Sequence, residues 1–542
     1  MKTNILSKTA LITLIGLSFF SCKKKNDVPG VTTPPTTGET SREQLTQDSI
    51  FLYAKEVYLW NTSLPTYEAF GPRKFAPTLD GYNEELVALT RFSPINPVTG
   101  KSYEAPLSGG GSKYSYIDDV STQNVLANKQ EDKSSVDLEG IGNDFGLKLG
   151  AYSGASADAY TIYVQAVYPG SPAALKGMTR GVRITKINNV SYGSNYDNEV
   201  AALNRALNAT EITIEGISKD EVTPVNVSLV KTTYRSSAVY TKKVLDVRGT
   251  KVGYLAYARF SSMANSQADF DAAFAEFAAQ GVKKLVIDLR YNGGGYVNTA
   301  EYLVDLISPS SNNGKVMFKE RYNTLMQTGT ATILKNQPLF NADGTLQQFQ
   351  GRVANYGDLA KDYFSENKQV STFSKKGPLE GVTDVVFIVT RNTASASELV
   401  INSLKPHMTV KIAGTKSYGK PVGFFPITIN YKKDATTKKE SGYDVYYSMF
   451  QTTNSLGEGD YFDGFAPDLS MTFDDASHDF GDMKEGNLIG ALSLIVPAAP
   501  SPVAATMSIR GSKVRVAETK TRSIIDGNEF NGMIADRPRL KK

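Results

Sequence analysis

Short apolar runs and helical-period stretches alternate through the second half of the chain, and that rhythm predicts its architecture. Residues 252–260 form an apolar run. Residues 266–280 place Phe270, Ala273, Phe274 and Phe277 on one helical face, and Gly281 stops the helix. Residues 284–289 read as a buried strand that enters a glycine turn, followed by a helix over 297–307. Residues 385–389 and 409–413 flank a further helix that begins after Ser395. Alternation of this kind predicts an α/β domain over residues 236–475 with an at least partly parallel sheet.

The first half has a different pattern. Ser41 with Gln44 three residues on has the form of a capping box, and Ile50, Tyr53, Ala54, Val57 and Tyr58 follow at helical spacing. This predicts a small, largely helical N-terminal domain over 41–115, with Trp60 ending its first helix and the glycine-rich stretch 107–112 as its exit. Over 138–235 short strands take over: an apolar run at 160–167, the turn Gly170-Ser-Pro-Ala-Ala-Leu-Lys-Gly177, the strand Arg183-Ile-Thr-Lys-Ile187 and a helix at 198–207. This order, with "GSPAALKGM" and "RITKINN", resembles a PDZ domain, which binds the end of a polypeptide as an added strand with its carboxylate on backbone N–H groups. The resemblance puts that loop at Gly140, Ile141, Gly142, Phe145, Gly146 and Leu147; the plainer alternative is a generic small β-domain. Residues 308–380 are polar and irregular and read as an insertion or lid. Residues 476–542 read as a C-terminal extension, Pro- and Ala-rich at 496–505 and basic at its end.

A length of 542 residues predicts roughly three domains. With 41% hydrophobic and 21% charged residues the chain is globular, and a net charge of +4 without a dense basic stripe argues against a nucleic-acid partner. The lone cysteine changes the picture of compartment. Residues 1–22 show a basic start, an apolar core over 11–20 and then Ser21-Cys22, the form of a secretion signal. A lone Cys at its end resembles a bacterial lipoprotein acceptor; the alternative is an ordinary cleaved signal. Residues 23–40 then read as a disordered tether. This predicts a protein lipid-anchored through Cys22 in the bacterial cell envelope, at the outer membrane and facing the periplasm or the surface.

Candidate chemistry gathers at strand ends of the α/β region, where open sheets build their sites. Asp288-Leu-Arg-Tyr-Asn-Gly-Gly-Gly295 can leave N–H groups facing an anion, as half of an oxyanion hole, or can be a tight strand-to-helix turn. Thr393-Ala-Ser-Ala-Ser-Glu398 places Ser395 at a helix start, with Ser397 as rival nucleophile and Glu398 as cap partner or orienter of the turn. Lys420 ends Gly414-Thr-Lys-Ser-Tyr-Gly-Lys420. A serine needs a base, the chain has only His407 and His478, and an amine desolvated by Tyr418, Pro421, Val422, Phe424 and Phe425 is an alternative to either.

Taken in order after a PDZ-like segment, "DLRYNGGG", "TASASE" and "GTKSYGK" resemble the carboxyl-terminal processing peptidases, Ser–Lys endopeptidases of bacterial envelopes and plastids. The likeness runs from residue 140 to about 475 and includes Gly464-Phe-Ala-Pro-Asp468. It implies a multidomain protein with a ClpP/crotonase-like α/β peptidase core, Ser395 as nucleophile, Lys420 as base, and Gly294 and Ala396 as oxyanion donors. It implies polypeptide substrates recruited through their C-termini, and no cofactor or metal. Two departures stand out: Phe424 lies where the family often has a Gln that orients the Lys, and Asn292-Gly-Gly-Gly295 replaces Asn-Pro-Gly-Gly. Two other readings remain, an inert PDZ-bearing scaffold and an acyl-CoA enzyme.

Overall fold

The computed structural model describes residues 40–106, 110–122, 136–153, 158–341, 344–433, 440–471, 474–496, 521–523 and 532–540. Cys22 and the expected signal and tether lie outside the described residues. Among the described residues no helix is long and apolar enough to cross a membrane.

Helix α1 (Arg42–Val57) starts at the Ser41–Gln44 capping box read from the sequence. With α2 (Leu79–Thr90) it buries Ile50, Phe51, Val57, Leu86 and Leu89. These side chains do not close a core of their own. They belong to one continuous apolar cluster with Leu255, Phe274, Leu303 and Phe450 of the α/β region. The N-terminal helices are therefore a layer of the main body rather than a separately packed domain.

Residues 141–235 form a small unit with an apolar core of its own, built around Leu149, Val164, Ile187, Leu203 and Ile214. Strand β1 (Ile141–Asp144) pairs with β7 (Thr232–Arg235). The larger sheet contains β2 (Leu147–Ser153), β3 (Tyr160–Val167), β4 (Arg183–Ile187), β5 (Glu211–Ile217) and β6 (Pro224–Val230), neighbours in that order, with α3 (Tyr196–Asn208) between β4 and β5 in the chain.

The main sheet follows the predicted alternation. It runs β8 (Val239–Val247), β9 (Thr250–Tyr257), β10 (Lys284–Asp288), β12 (Asp384–Val389), β13 (Thr409–Gly414), β16 (Leu469–Ser470), antiparallel at the first pair and parallel from β9 onward. Helix α4 (Met263–Ala279) buries Phe270, Ala273, Phe274 and Phe277, and Gly281 (φ +70°) follows its end. Strand β11 (Gly294–Tyr296) leads into α5 (Val297–Ile307), and α6 (Ala396–Leu404) follows β12. On the other sheet face α7 (Gly486–Ile495) packs Leu488, Ala491 and Leu492 against Val286, Val386 and Ile388.

Residues 308–380 are no loose lid: Val316–Tyr322 pairs with Phe450–Asn454, and Phe318, Met326, Leu334 and Phe364 are buried in the main core. Most of the other elements there are only three to five residues long, too short to show a helix or strand period. The C-terminal extension contributes α7, which covers the sheet. Strand β17 (Thr521–Ser523) adds to β2, and β18 (Gly532–Ile534) pairs with β11.

Candidate active site

The two predicted motifs emerge side by side because β10 and β12 are parallel neighbours in register, Asp288 beside Ile388. Their turns are then stitched together. Thr393 Oγ1 donates to the Leu289 carbonyl (2.7 Å), and both the Ala394 amide (3.2 Å) and Ser397 Oγ (3.0 Å) donate to the Asn292 carbonyl. That last bond commits the hydroxyl of Ser397, the rival nucleophile, to the glycine turn. A buried charge network anchors the strand end: the Arg290 guanidinium binds Asp288 (2.7 Å), Glu485 (3.0 Å) and Asp474 (2.9 Å), and Arg180 of the small β-unit also binds Asp474 (2.9 Å). Charges removed from water in this way are tolerable only because each meets an opposite charge.

Ser395 has φ +61° and ψ −111°, a conformation few side-chain-bearing residues hold without support. The support is Glu398, fully buried. Its Oε2 accepts the amides of Ser395 (2.9 Å) and Lys420 (2.8 Å), and its Oε1 accepts Ser417 Oγ (2.6 Å) and the Gly419 amide (2.7 Å). Glu398 is thus both the cap partner and the orienter considered from sequence, and it also holds the lysine loop. Burial raises its pKa, against these hydrogen bonds. Gly464–Asp468 closes the same loop from the other side: the Phe465 amide donates to Ser417 Oγ (2.8 Å) and the Ile412 amide to Asp468 (2.8 Å).

The Ser395 hydroxyl is buried and, among the described residues, has no hydrogen-bond partner. The Ala396 N–H beside it is the first of α6, where no carbonyl precedes it within the helix. The other expected oxyanion donor is differently placed. The Gly294 amide donates to Asn292 Oδ1 of its own turn (2.9 Å) and is engaged within that turn in this structure. Gly294 holds φ +108°, and a Cβ there would lie 3.0 Å from the Ala396 nitrogen, so the approach of the two turns requires glycine.

Lys420 is 1% exposed, and burial lowers its amine from 10.5 to about 7; the Glu104 and Glu398 carboxylates oppose that shift and Lys113 adds to it. The amine lies 4.7 Å from the centre of the Phe424 ring and 5.7 Å from that of Tyr114, and donates to the Tyr114 carbonyl at 3.5 Å. Phe424 therefore forms a wall of the amine pocket, and an acceptor arrives from the N-terminal layer. Tyr114 was not foreseen from sequence, because nothing local ties it to Lys420. Its hydroxyl also donates to the Gly419 carbonyl (2.6 Å). Neither histidine serves Ser395: His407 Nε2 contacts the Val316 carbonyl and Ser455, and His478 Nδ1 contacts Asp475 and Ser477.

The expected carboxylate loop of the small β-unit departs from its forecast. Gly140 precedes β1, Ile141 and Gly142 lie in it, and all pack against the 232–236 segment. Phe145 and Leu147 are buried, and the Gly146 amide is taken by the Asp144 carboxylate. An acidic group thus stands where a substrate carboxylate was expected.

Residues 251–469 match the family model of Peptidase family S41. A Staphylococcus aureus protein named Probable CtpA-like serine protease is 25% identical over 284 residues, 52% of this chain and 46% of that protein. The chloroplastic C-terminal processing peptidase of Tetradesmus obliquus is 27% identical over 170 residues, 31% of this chain and 26% of that protein. The chain thus spans less than half the length of these curated relatives. Among solved structures, a Bacteroides fragilis protein assigned to the S41 proteases superposes with a TM-score of 0.51 at 22% identity, covering 83% of this chain and 98% of that one, a likeness of fold. Over residues 251–469 this chain is therefore similar to peptidase family S41.

Proposed function

We propose that this chain is a serine endopeptidase of the bacterial envelope, anchored by lipid at Cys22, in which Ser395 is the nucleophile and Lys420 its base. The single observation that carries the reading is that one buried carboxylate, Glu398, holds the backbone amides of both Ser395, whose hydroxyl is buried and unpartnered, and Lys420, whose amine burial lowers to about 7. The neutral Lys420 amine takes the hydroxyl proton as Ser395 Oγ attacks the peptide carbonyl carbon. The developing oxyanion meets the Ala396 amide, joined by the Gly294 amide once it turns from Asn292; each such donor contributes roughly 3–4 kcal/mol to the transition state. The C–N bond breaks, the Lys420 ammonium protonates the leaving amine, and water hydrolyses the acyl-serine with the same lysine as base.

In this structure the hydroxyl and the amine are not hydrogen-bonded to each other, an arrangement that tightens in many enzymes only when substrate is bound. The same gap favours one alternative, an inert scaffold that binds polypeptides. The small β-unit would recruit a chain as a strand on the edge of β2. Because Asp144 occupies the Gly146 amide, internal extended segments suit that edge better than free C-termini.

The test is hydrolysis of an unfolded protein substrate by the wild type, Ser395→Ala and Lys420→Ala, each checked for native circular dichroism. The reading requires turnover that both substitutions abolish. Equal turnover in either variant removes that residue from its role, and no turnover in any form under any condition leaves the scaffold. Incorporation of an alkyne fatty acid by the wild type but not by Cys22→Ala tests the anchor.

A further inference from the structure

The distal strand β18 lies between the two loops that carry the proposed chemistry. On one side it pairs in parallel with the glycine turn, Gly294 beside Gly532, Gly295 beside Met533 and Tyr296 beside Ile534, and the Gly532 amide donates to the Gly293 carbonyl (3.1 Å). On the other side it meets the segment that follows Lys420: the Phe424 amide donates to the Met533 carbonyl (3.1 Å), and the Ala535 amide donates to the Phe424 carbonyl (3.0 Å). Both edges of one strand are thus paired with the loops bearing the oxyanion and base positions.

The fit is close at the reacting end. The Gly532 carbonyl oxygen lies 2.4 Å from where a Cβ on Gly294 would project, and the Ala396 nitrogen lies 3.0 Å from the same point. Met533 is fully buried and Ile534 nearly so. Further on, Gln347 reads the main chain of Leu540 in both directions, accepting its N–H (3.1 Å) and donating to its carbonyl (3.0 Å), while the Arg537 guanidinium lies 5.0 Å from the centre of the Phe340 ring. Upstream, the strand Thr521–Ser523 adds antiparallel to β2, with Thr521 beside Tyr152. The same distal region therefore occupies both edges at which a polypeptide would be read.

We propose that residues 532–540 are an internal occupant of the substrate groove, seated in the register that a substrate strand takes, so that a substrate must displace them. This rests on the peptidase reading for the identity of the groove. The occupant reports the substrate class: an extended segment with a small residue beside Gly294, followed by two apolar residues that are both buried, one on each face of the strand, as in Gly532-Met533-Ile534. With this strand in place Ser395 is fully buried and the Gly294 amide stays turned to Asn292. A cavity of about 1410 Å³, lined by Ala535 and Arg537 with Tyr53, Gln337, Phe340 and Thr428, lies alongside and gives the segment room to withdraw.

The test keeps folding separate from release. A site for a specific protease is inserted between residues 524 and 531 of the full chain, which folds intact and is then cut, with Ser395→Ala carrying the same insertion. A labelled peptide of residues 530–540 is the probe, read by fluorescence anisotropy, and hydrolysis of an unfolded protein is read in parallel. The proposal expects the probe to bind the cut Ser395→Ala protein at least 10-fold more tightly than the uncut one, and Met533→Asp in the probe to abolish binding. It also expects cutting to raise kcat/KM at least 10-fold, with excess peptide reversing the gain competitively. Probe binding without any hydrolysis upholds the occupant and removes the peptidase reading. Hydrolysis that cutting leaves unchanged, with no probe binding, overturns the occupant and leaves the peptidase reading intact.

Discussion

The main-chain amides of Ser395 and Lys420 converge on a single oxygen, Oε2 of Glu398, at 2.9 and 2.8 Å. One buried carboxylate thereby fixes the backbone positions of the proposed nucleophile and base. Glu398→Ala leaves three buried amides and the Ser417 hydroxyl without their acceptor. We expect a loss of about 3–5 kcal/mol in stability, measured by urea unfolding. The loss of hydrolytic rate is expected to be about 100-fold or more even under conditions where the fold is retained, because the reacting groups are no longer placed together. Glu398→Gln, with one acceptor and one donor facing the same amides, recovers only part of either.

The pH dependence follows from the Lys420 amine at about 7. Only the neutral amine can take a proton, so kcat/KM rises with pH through about 7 and levels above it. The folded pKa is below the 10.5 of the unfolded chain, so the unfolded state binds the extra proton between these values and stability rises with pH across that window. Lys420→Met removes this contribution to the slope. It is also expected to be more stable than the wild type at pH 7 by about 1–3 kcal/mol while inactive, because a desolvated amine is replaced by an apolar chain of similar length.

Phe424 forms a wall of the amine pocket, with its ring centre 4.7 Å from the nitrogen. Phe424→Gln places an acceptor there and favours the ammonium. The rate profile is expected to shift upward by about one pH unit. Loss of a fully buried ring is expected to cost about 2–4 kcal/mol in the same unfolding assay.

Arg290 neutralises Asp288 and Glu485 in a region closed to water. Arg290→Met leaves both carboxylates unpaired, with an expected loss of about 3–5 kcal/mol in urea unfolding. Arg290→Lys keeps the charge but cannot reproduce the fork of contacts, and is expected to fall between the two.

Much of the α/β frame was legible along the chain. The helix over 297–307 and the apolar face of Phe270, Ala273, Phe274 and Phe277 appear where periodicity put them, since each reports only which local face is buried. The three motifs were legible as well, because glycine, serine and lysine in those turns are local chemical choices. Asp144 shows the limit of this: the glycines of the 140–147 segment suggested an open anion loop, but a neighbouring carboxylate takes the Gly146 amide, and only the folded turn reveals that.

From sequence alone, then, came the order of elements and the residue types at the strand ends, both properties of short stretches. Tertiary structure alone decided that the Tyr114 carbonyl faces the Lys420 amine, that Glu398 joins two loops, that residues 308–380 contribute side chains to the main core, and that residues 532–534 pair with the glycine turn. Each of these is a pairing between segments far apart in the chain. Hydrogen bonds and packing of that kind depend on the register of the assembled sheet, on which local hydrophobic period carries no information.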